Sequence, residues 1–191
     1  MNLDIVCSLK VIYHKYMSVY TNLENKDVKE ILKKFDIGKL MSFNGISDGI
    51  TNTNYFLDTT KGKYVITIFE DIKKSKVVKY LKLMNFFSSN GLCSPEIMIT
   101  KTDDFLIEVK NKPCSVMQKL KGRTVNETDA DLCASLGYII AKFHIAGESY
   151  KVNIANSRDT RWVKKNIKNV SKYINPEQIK LLNRSSKIFE R

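Results

Sequence analysis

Metal-binding residues are sparse in this 191-residue chain. It has two histidines, far apart, and four cysteines, Cys7, Cys93, Cys114 and Cys133, none in CxxC spacing. A zinc site is therefore not expected, and unpaired cysteines fit a reducing cytoplasm. Cys114 and Cys133 sit in apolar patterns and are expected to be buried thiols. No apolar run approaches the ~20 residues that span a bilayer, so no membrane partner is expected. Arginine is scarce, and Lys far outnumbers it. The net charge of +12 suggests nucleic acid, but readers of nucleic acid cluster their bases and favour Arg. Here the lysines are scattered, and Arg158 and Arg161 are the nearest approach to a cluster. Ile and Asn are also plentiful, so an AT-rich coding bias accounts for the excess. There are no internal repeats and no low-complexity linker. The hydrophobic fraction of 43% is enough for a packed core.

Residues 1–16 read MNLDIVCSLKVIYHKY. Asp4 comes early, Lys10 interrupts the apolar run, and no small-residue cleavage site follows, so this is not a signal peptide. We read 1–16 as an extension from a misassigned start, with Met17 the natural beginning.

The pattern beyond it is that of an α+β protein. Asn25 caps a short helix through Phe35, with Val28, Ile31, Leu32 and Phe35 on one face, and Gly38 as its stop. Strands are expected at 43–47, 53–59 and 63–70, the last two joined by a turn at Lys61-Gly62. A helix over 75–90 follows, on the spacing of Val77, Tyr80, Leu81, Met84 and Phe87, with Gly91 and Pro95 ending it. Segments 96–100 and 105–110 form a predicted hairpin, and 113–120 another strand. Thr128 to Asp131 resembles a capping box. It precedes a helix striped with Leu132, Leu136, Ile139, Ile140 and Phe143. Two more helices are expected over 160–173 and 176–191, Pro176 being a suitable first helical residue.

The stretch from Gly49 to Glu70, GITNTNYFLDTTKGKYVITIFE, carries the chemistry. Its two strands follow a small polar loop, a layout that suits a phosphate clamp. Ser47, Asp48, Gly49, Ile50, Thr51, Asn52, Thr53 and Asn54 form that loop. Small residues let backbone N–H groups approach phosphate oxygens, and hydroxyl and amide side chains add hydrogen bonds. With Gly49 as its one glycine it is neither a Walker loop nor GxGxxG; an ordinary β-turn is the plainer alternative. Glu70 either pairs with a base or is a strand-end surface carboxylate. His144 has no carboxylate placed to orient it and reads as structural. Arg158 and Trp162 either shape a substrate side or tie helices together.

SVYTNL, GITNTNYFLDTTKGKYVITIFE, SSNGLCSPE, PCSVMQKLKG and LGYIIAKFHIAG occur in the order seen in bacterial homoserine kinases, and the likeness continues through Asn156-Ser157-Arg158 and Trp162. From Met17 onward the chain resembles that family, within the aminoglycoside phosphotransferase and choline kinase superfamily. The resemblance implies a protein-kinase-like fold, with an antiparallel-sheet N-lobe over 17–120 holding one intervening helix. A partial helical C-lobe over 121–191 would follow.

It also implies ATP and Mg²⁺ as cofactors and L-homoserine as the small-molecule substrate, phosphorylated to O-phosphohomoserine for threonine biosynthesis. Gln118, Lys119 and Leu120 would meet the adenine edge through their backbone. Thr67 stands where related kinases place Lys or Arg on the third strand, leaving open which cation contacts the phosphates; Lys63 and Lys73 are nearby. The family's H-x-D-L-x-x-D-N loop and later Asp-Phe segment have no match here. No catalytic or metal-ligating residue is therefore assigned, and the chain is expected to be an N-terminal, catalytically incomplete portion. The alternatives are a sibling kinase acting on choline, an aminoglycoside or a methylthioribose-like sugar, and a non-catalytic ATP- or partner-binding module. A nucleic-acid binder would rest on charge alone. Oligomeric state is left open.

Overall fold

The computed structural model describes residues 19–47, 50–122, 125 and 127–188. The extension 1–16 lies outside them. The order is α1 (Asn25–Lys34), β1 (Leu40–Ile46), β2 (Asn52–Thr59), β3 (Gly62–Phe69), α2 (Lys74–Ser89), β4 (Ile107–Val109), β5 (Lys112–Gln118), α3 (Ala130–Gly147), α4 (Thr160–Val170), a 3-10 turn (Ser171–Tyr173) and α5 (Pro176–Ile188). The five strands form one sheet in the order β1-β2-β3-β5-β4, and each neighbouring pair is antiparallel. This is the α+β, kinase-like arrangement that the sequence implies.

Alternation gives the sheet two faces. Tyr55, Leu57, Ile66, Ile68, Cys114 and Val116 point one way and pack with Val28, Ile31 and Leu32 of α1. Asn54, Phe56, Val65, Thr67, Phe69, Ser115 and Met117 take the other face. There Phe69 and Met117 pack with Val77 and Leu81 of α2.

Several local expectations change. Helix α1 stops at Lys34, and Phe35 leaves it extended to bridge Thr100. Its first turn is closed by Glu24 and Asp27 rather than by Asn25. Gly38 serves the sheet instead of stopping the helix. Its φ is +92°, and a Cβ there would come within 2.6 Å of the Thr60 hydroxyl. A side chain is thus barred from the approach to the β2–β3 turn. Segments 96–100 and 105–110 do not pair with each other. Instead, β4 and Ile97 lie one after the other along the outer edge of β5, at Ile107↔Cys114 and Ile97↔Met117. The cause is the turn at Lys110-Asn111, with φ of +50° and +62°, the twist that favours a tight hairpin.

The chain divides into two compact units, with the boundary between Lys151 and Val152. In the first unit, α3 is capped by Asp129, whose side chain accepts from Leu132 N–H, so the capping box at Thr128 and Asp131 does not form. No residue of α3 is buried. Its anchor is Phe143, edge-on to Phe87 of α2 at 4.8 Å between centroids. Cys133 is exposed and Cys114 buried; the apolar pattern around Cys133 marks a face that the described residues leave uncovered. Burial pushes the Cys114 thiol up to about 12. In the second unit, Asp159 caps α4, and Asn175 and Gln178 cap α5 reciprocally. Ile167 and Ser186 are buried there.

Candidate nucleotide site on the sheet

The site grows out of register. Asn54 lies opposite Thr67, and Thr67 opposite Ser115, so three small polar residues form one row across β2, β3 and β5. Thr67 Oγ1 donates to Asn54 Oδ1 at 2.8 Å. Ser115 Oγ is buried and lacks a partner, as is Asn52 Oδ1 at the start of β2. A buried polar atom left unpaired is costly, and among the described residues both such atoms fall in this part of the sheet. The adjacent row, Phe56–Val65–Met117, is apolar. The Lys119 ammonium sits 4.6 Å from the Phe56 ring centroid. A polar row beside an apolar row, next to the β1–β2 connection, can take a ligand with a flat ring and a polar tail.

The predicted loop residues separate into three groups. Ser47, Ile50 and Thr51 are exposed; Asp48 and Gly49 lie outside the described residues. Asn52 and Asn54 belong to the face just described. Thr53 points the other way: its hydroxyl donates to Glu70 Oε1 at 2.5 Å and accepts from Thr21 N–H at 3.0 Å. That hydroxyl is already used.

At the other end of the site, Gln118 N–H donates to the Glu96 carbonyl and Lys119 N–H to the Lys63 carbonyl. Leu120 makes no hydrogen bond among the described residues. Its backbone N–H, unlike those of Gln118 and Lys119, has no partner among the described residues. Lys63 pairs with Asp58 across the hairpin, in keeping with a solvated surface lysine rather than a phosphate contact.

Glu70 is not a surface carboxylate. Its side chain is 8% exposed and paired with Lys112, and it accepts from the hydroxyls of Thr21 and Thr53. Lys112 also donates to Thr21 Oγ1 at 2.9 Å. Burial alone would raise the Glu70 pKa; hydrogen bonds from Lys112, Thr53 and Thr21 and the Lys112 charge outweigh it and hold the carboxyl below its ordinary value. This cluster lies on the α1 face and fastens the incoming chain. Tyr55 joins it, donating its hydroxyl to Thr21 O and accepting from Leu23 N–H. One residue earlier, the Tyr20 hydroxyl reaches the Ile50 carbonyl at 3.0 Å.

Phe56, Val65, Met117 and Ser115 are site residues that the sequence reading misses. The signal lies in the alternation of β2 and β3, once the strands are paired. His144 is exposed on the last turn of α3, and Arg158 stacks on the ring of Trp162 5.5 Å away, a contact within one helix start. A cavity of about 740 Å³ runs along α1 and β4, away from the polar row. Its charges include both signs, with Lys110 paired to Asp27. Among the described residues no three His, Cys, Asp or Glu side chains stand together as metal ligands, and no helix is long and apolar enough to cross a membrane.

Residues 42–179 match the phosphotransferase enzyme family. The chain is 33% identical over 166 residues to the homoserine kinase of Methylobacillus flagellatus, covering 87% of this chain and 52% of that protein. It is 35% identical over 146 residues to the homoserine kinase of Methylobacillus glycogenes, covering 76% and 46%. Among solved structures it is similar to an amicoumacin kinase in complex with AMP-PNP, Ca²⁺ and Ami. The TM-score is 0.59 at 14% identity, covering 88% of this chain and 53% of that one; at that identity the likeness speaks to the fold. The chain spans about half the length of the curated relatives it matches. It belongs to the phosphotransferase enzyme family.

Proposed function

We propose that this chain is the nucleotide-binding part of a homoserine kinase, which uses ATP to phosphorylate the side-chain hydroxyl of L-homoserine to O-phosphohomoserine. The observation that carries it is the in-register pair of rows. The apolar row Phe56–Val65–Met117 receives the base, with the Leu120 N–H and the Lys119 carbonyl following it along the chain. Asn54 and the start of β2 lie on the side proposed for the phosphates, with Thr67 and Ser115 buried beneath. Family membership supports the reaction class, and the two Methylobacillus relatives support the substrate.

The described residues fit the nucleotide better than the metal. Two orphaned polar atoms await partners on this part of the sheet, whereas no ligand cluster for a cation is gathered. ATP bound here would supply the phosphoryl group, and Mg²⁺ is proposed to arrive with it. In kinases catalysis rests on positioning and charge neutralisation around that metal. No His-x-Asp occurs among the 191 residues, so we assign this chain nucleotide binding and not the transfer step. The same observation favours the second reading, a module that binds ATP without turning it over.

The test is an ATP-dependent phosphorylation assay with L-homoserine, choline and an aminoglycoside. It is run on the protein encoded by the whole locus and, in parallel, on the 191-residue chain. The expected result is preference for homoserine in the first and no turnover above background in the second. Preference for choline or the aminoglycoside overturns the substrate assignment. Turnover by the 191-residue chain at an ordinary kinase rate, about 1–100 s⁻¹, overturns the assignment of binding alone.

A further inference from the structure

We propose that Lys119 is a displaceable cover on the apolar row, its ammonium holding the ring of Phe56 until a nucleobase takes that place. The inference rests on the nucleotide reading above and adds to it a residue that sets the affinity for the base. Register puts Lys119 on the face of the site. Ser115, Met117 and Lys119 follow one another at every second position, which keeps them on one side of the chain. Lys119 N–H donates to the Lys63 carbonyl at 3.0 Å, and Lys63 lies opposite Asp58. Lys119 therefore extends the row that Asp58 and Lys63 begin. Next to that charged row comes the apolar row Phe56–Val65–Met117, and next to that the polar row Asn54–Thr67–Ser115.

The charged row holds two cations and one carboxylate. Lys63 takes Asp58 at 3.0 Å, and among the described residues Lys119 has no carboxylate within reach. Its ammonium turns instead to the negative face of an aromatic ring. It sits 4.6 Å from the Phe56 centroid, across β3, which separates β5 from β2. Phe56 is 39% exposed, and Val65 and Met117 are half-buried, so this row is accessible to a flat ring where Thr67 and Ser115 are not. A base that stacks on Phe56 needs the ring face that the ammonium holds, and the two cannot share it. Binding therefore breaks one exposed cation–π contact, which weakens the hold on the base by about two- to fivefold.

The experiment is NMR titration of the 191-residue chain, Lys119→Met, Phe56→Leu and the double variant with adenosine. Lys119→Met keeps an unbranched side chain and removes the charge. It should bind adenosine about two- to fivefold more tightly than the parent. In the Phe56→Leu background the same change should leave affinity unaltered, because the ring that holds the ammonium is gone; the cycle separates displacement of the charge from the added apolarity of Met. In the parent, the Lys119 ε-methylene signal should start shielded by the ring and move to its ordinary position as adenosine saturates. Affinity unchanged in Lys119→Met overturns the cover and leaves the base placement standing. Weaker binding overturns it as well, by making Lys119 a contact to the base. An equal gain with and without the Phe56 ring overturns it by assigning the gain to Met. If adenosine binds neither the parent nor Lys119→Met, or perturbs signals away from Phe56, Val65 and Met117, the base placement falls, and the cover with it.

Discussion

The sheet and α3 obey the same burial physics and reach opposite results. Leu57, Ile66 and Val116 are wholly buried, because α1 and one face of the sheet cover one another. Helix α3 is apolar around most of its circumference, a composition that marks a helix made to be surrounded. Yet Leu136 is 57% exposed and Ile145 69%. The same hydrophobic stripe therefore means a core in one region and an uncovered surface in the other. The matched stretch is about half the length of the relatives, and α3 has the composition of a helix that is surrounded. The sheet completes its own core; α3 does not.

The largest effect should come from the sheet's core. Leu57→Ala is expected to destabilise by about 3 kcal/mol, the transfer and cavity cost of a buried leucine, read as a shift in urea midpoint. A loss below about 1 kcal/mol would break the comparison from the sheet side.

Next comes the buried pair. Glu70→Gln leaves Lys112 without its partner, and should cost about 2 kcal/mol at pH 7, less than a fully buried pair because the Lys112 side chain is 35% exposed to screening. The sign with pH follows from the direction of the shift. The Glu70 pKa is depressed from its ordinary 4.5, so its stabilisation is complete above pH 4.5 and is lost as pH falls through the lower, folded value. The gap between parent and Glu70→Gln should be constant from pH 6 to 8 and close on acidification below 4.5. A gap that widens on acidification contradicts the pairing.

The smallest effect should come from α3. Leu136→Ala is expected to change stability by less than about 0.5 kcal/mol, as at an exposed site, while lowering the tendency to associate, since bare apolar patches drive it. A loss above about 1.5 kcal/mol would mean that α3 is covered in solution.

Legibility in the sequence follows the same division. Strands β2 and β3, helix α2 and the stripe of α1 can be read directly, because short-range alternation and helical spacing encode them. The two sheet rows require strand pairing, so Phe56 and Ser115 escape a reading of the sequence although their parity is visible in it. The Glu70 cluster cannot be read at all: Thr21 and Lys112 are 91 residues apart in sequence, and nothing local announces their meeting. Cys133 shows the converse. An apolar pattern states where a residue belongs, and says nothing about whether a covering partner is at hand.

Nucleotide binding on the sheet face is tested most directly by hydrogen exchange of the 191-residue chain with and without MgATP. Exchange should slow at 50–54 and 118–120, with no change along the α1–β4 cavity or in α3. Protection at Lys26–Lys34 and Ile107–Lys110 in place of those segments, or protection nowhere, would contradict that placement.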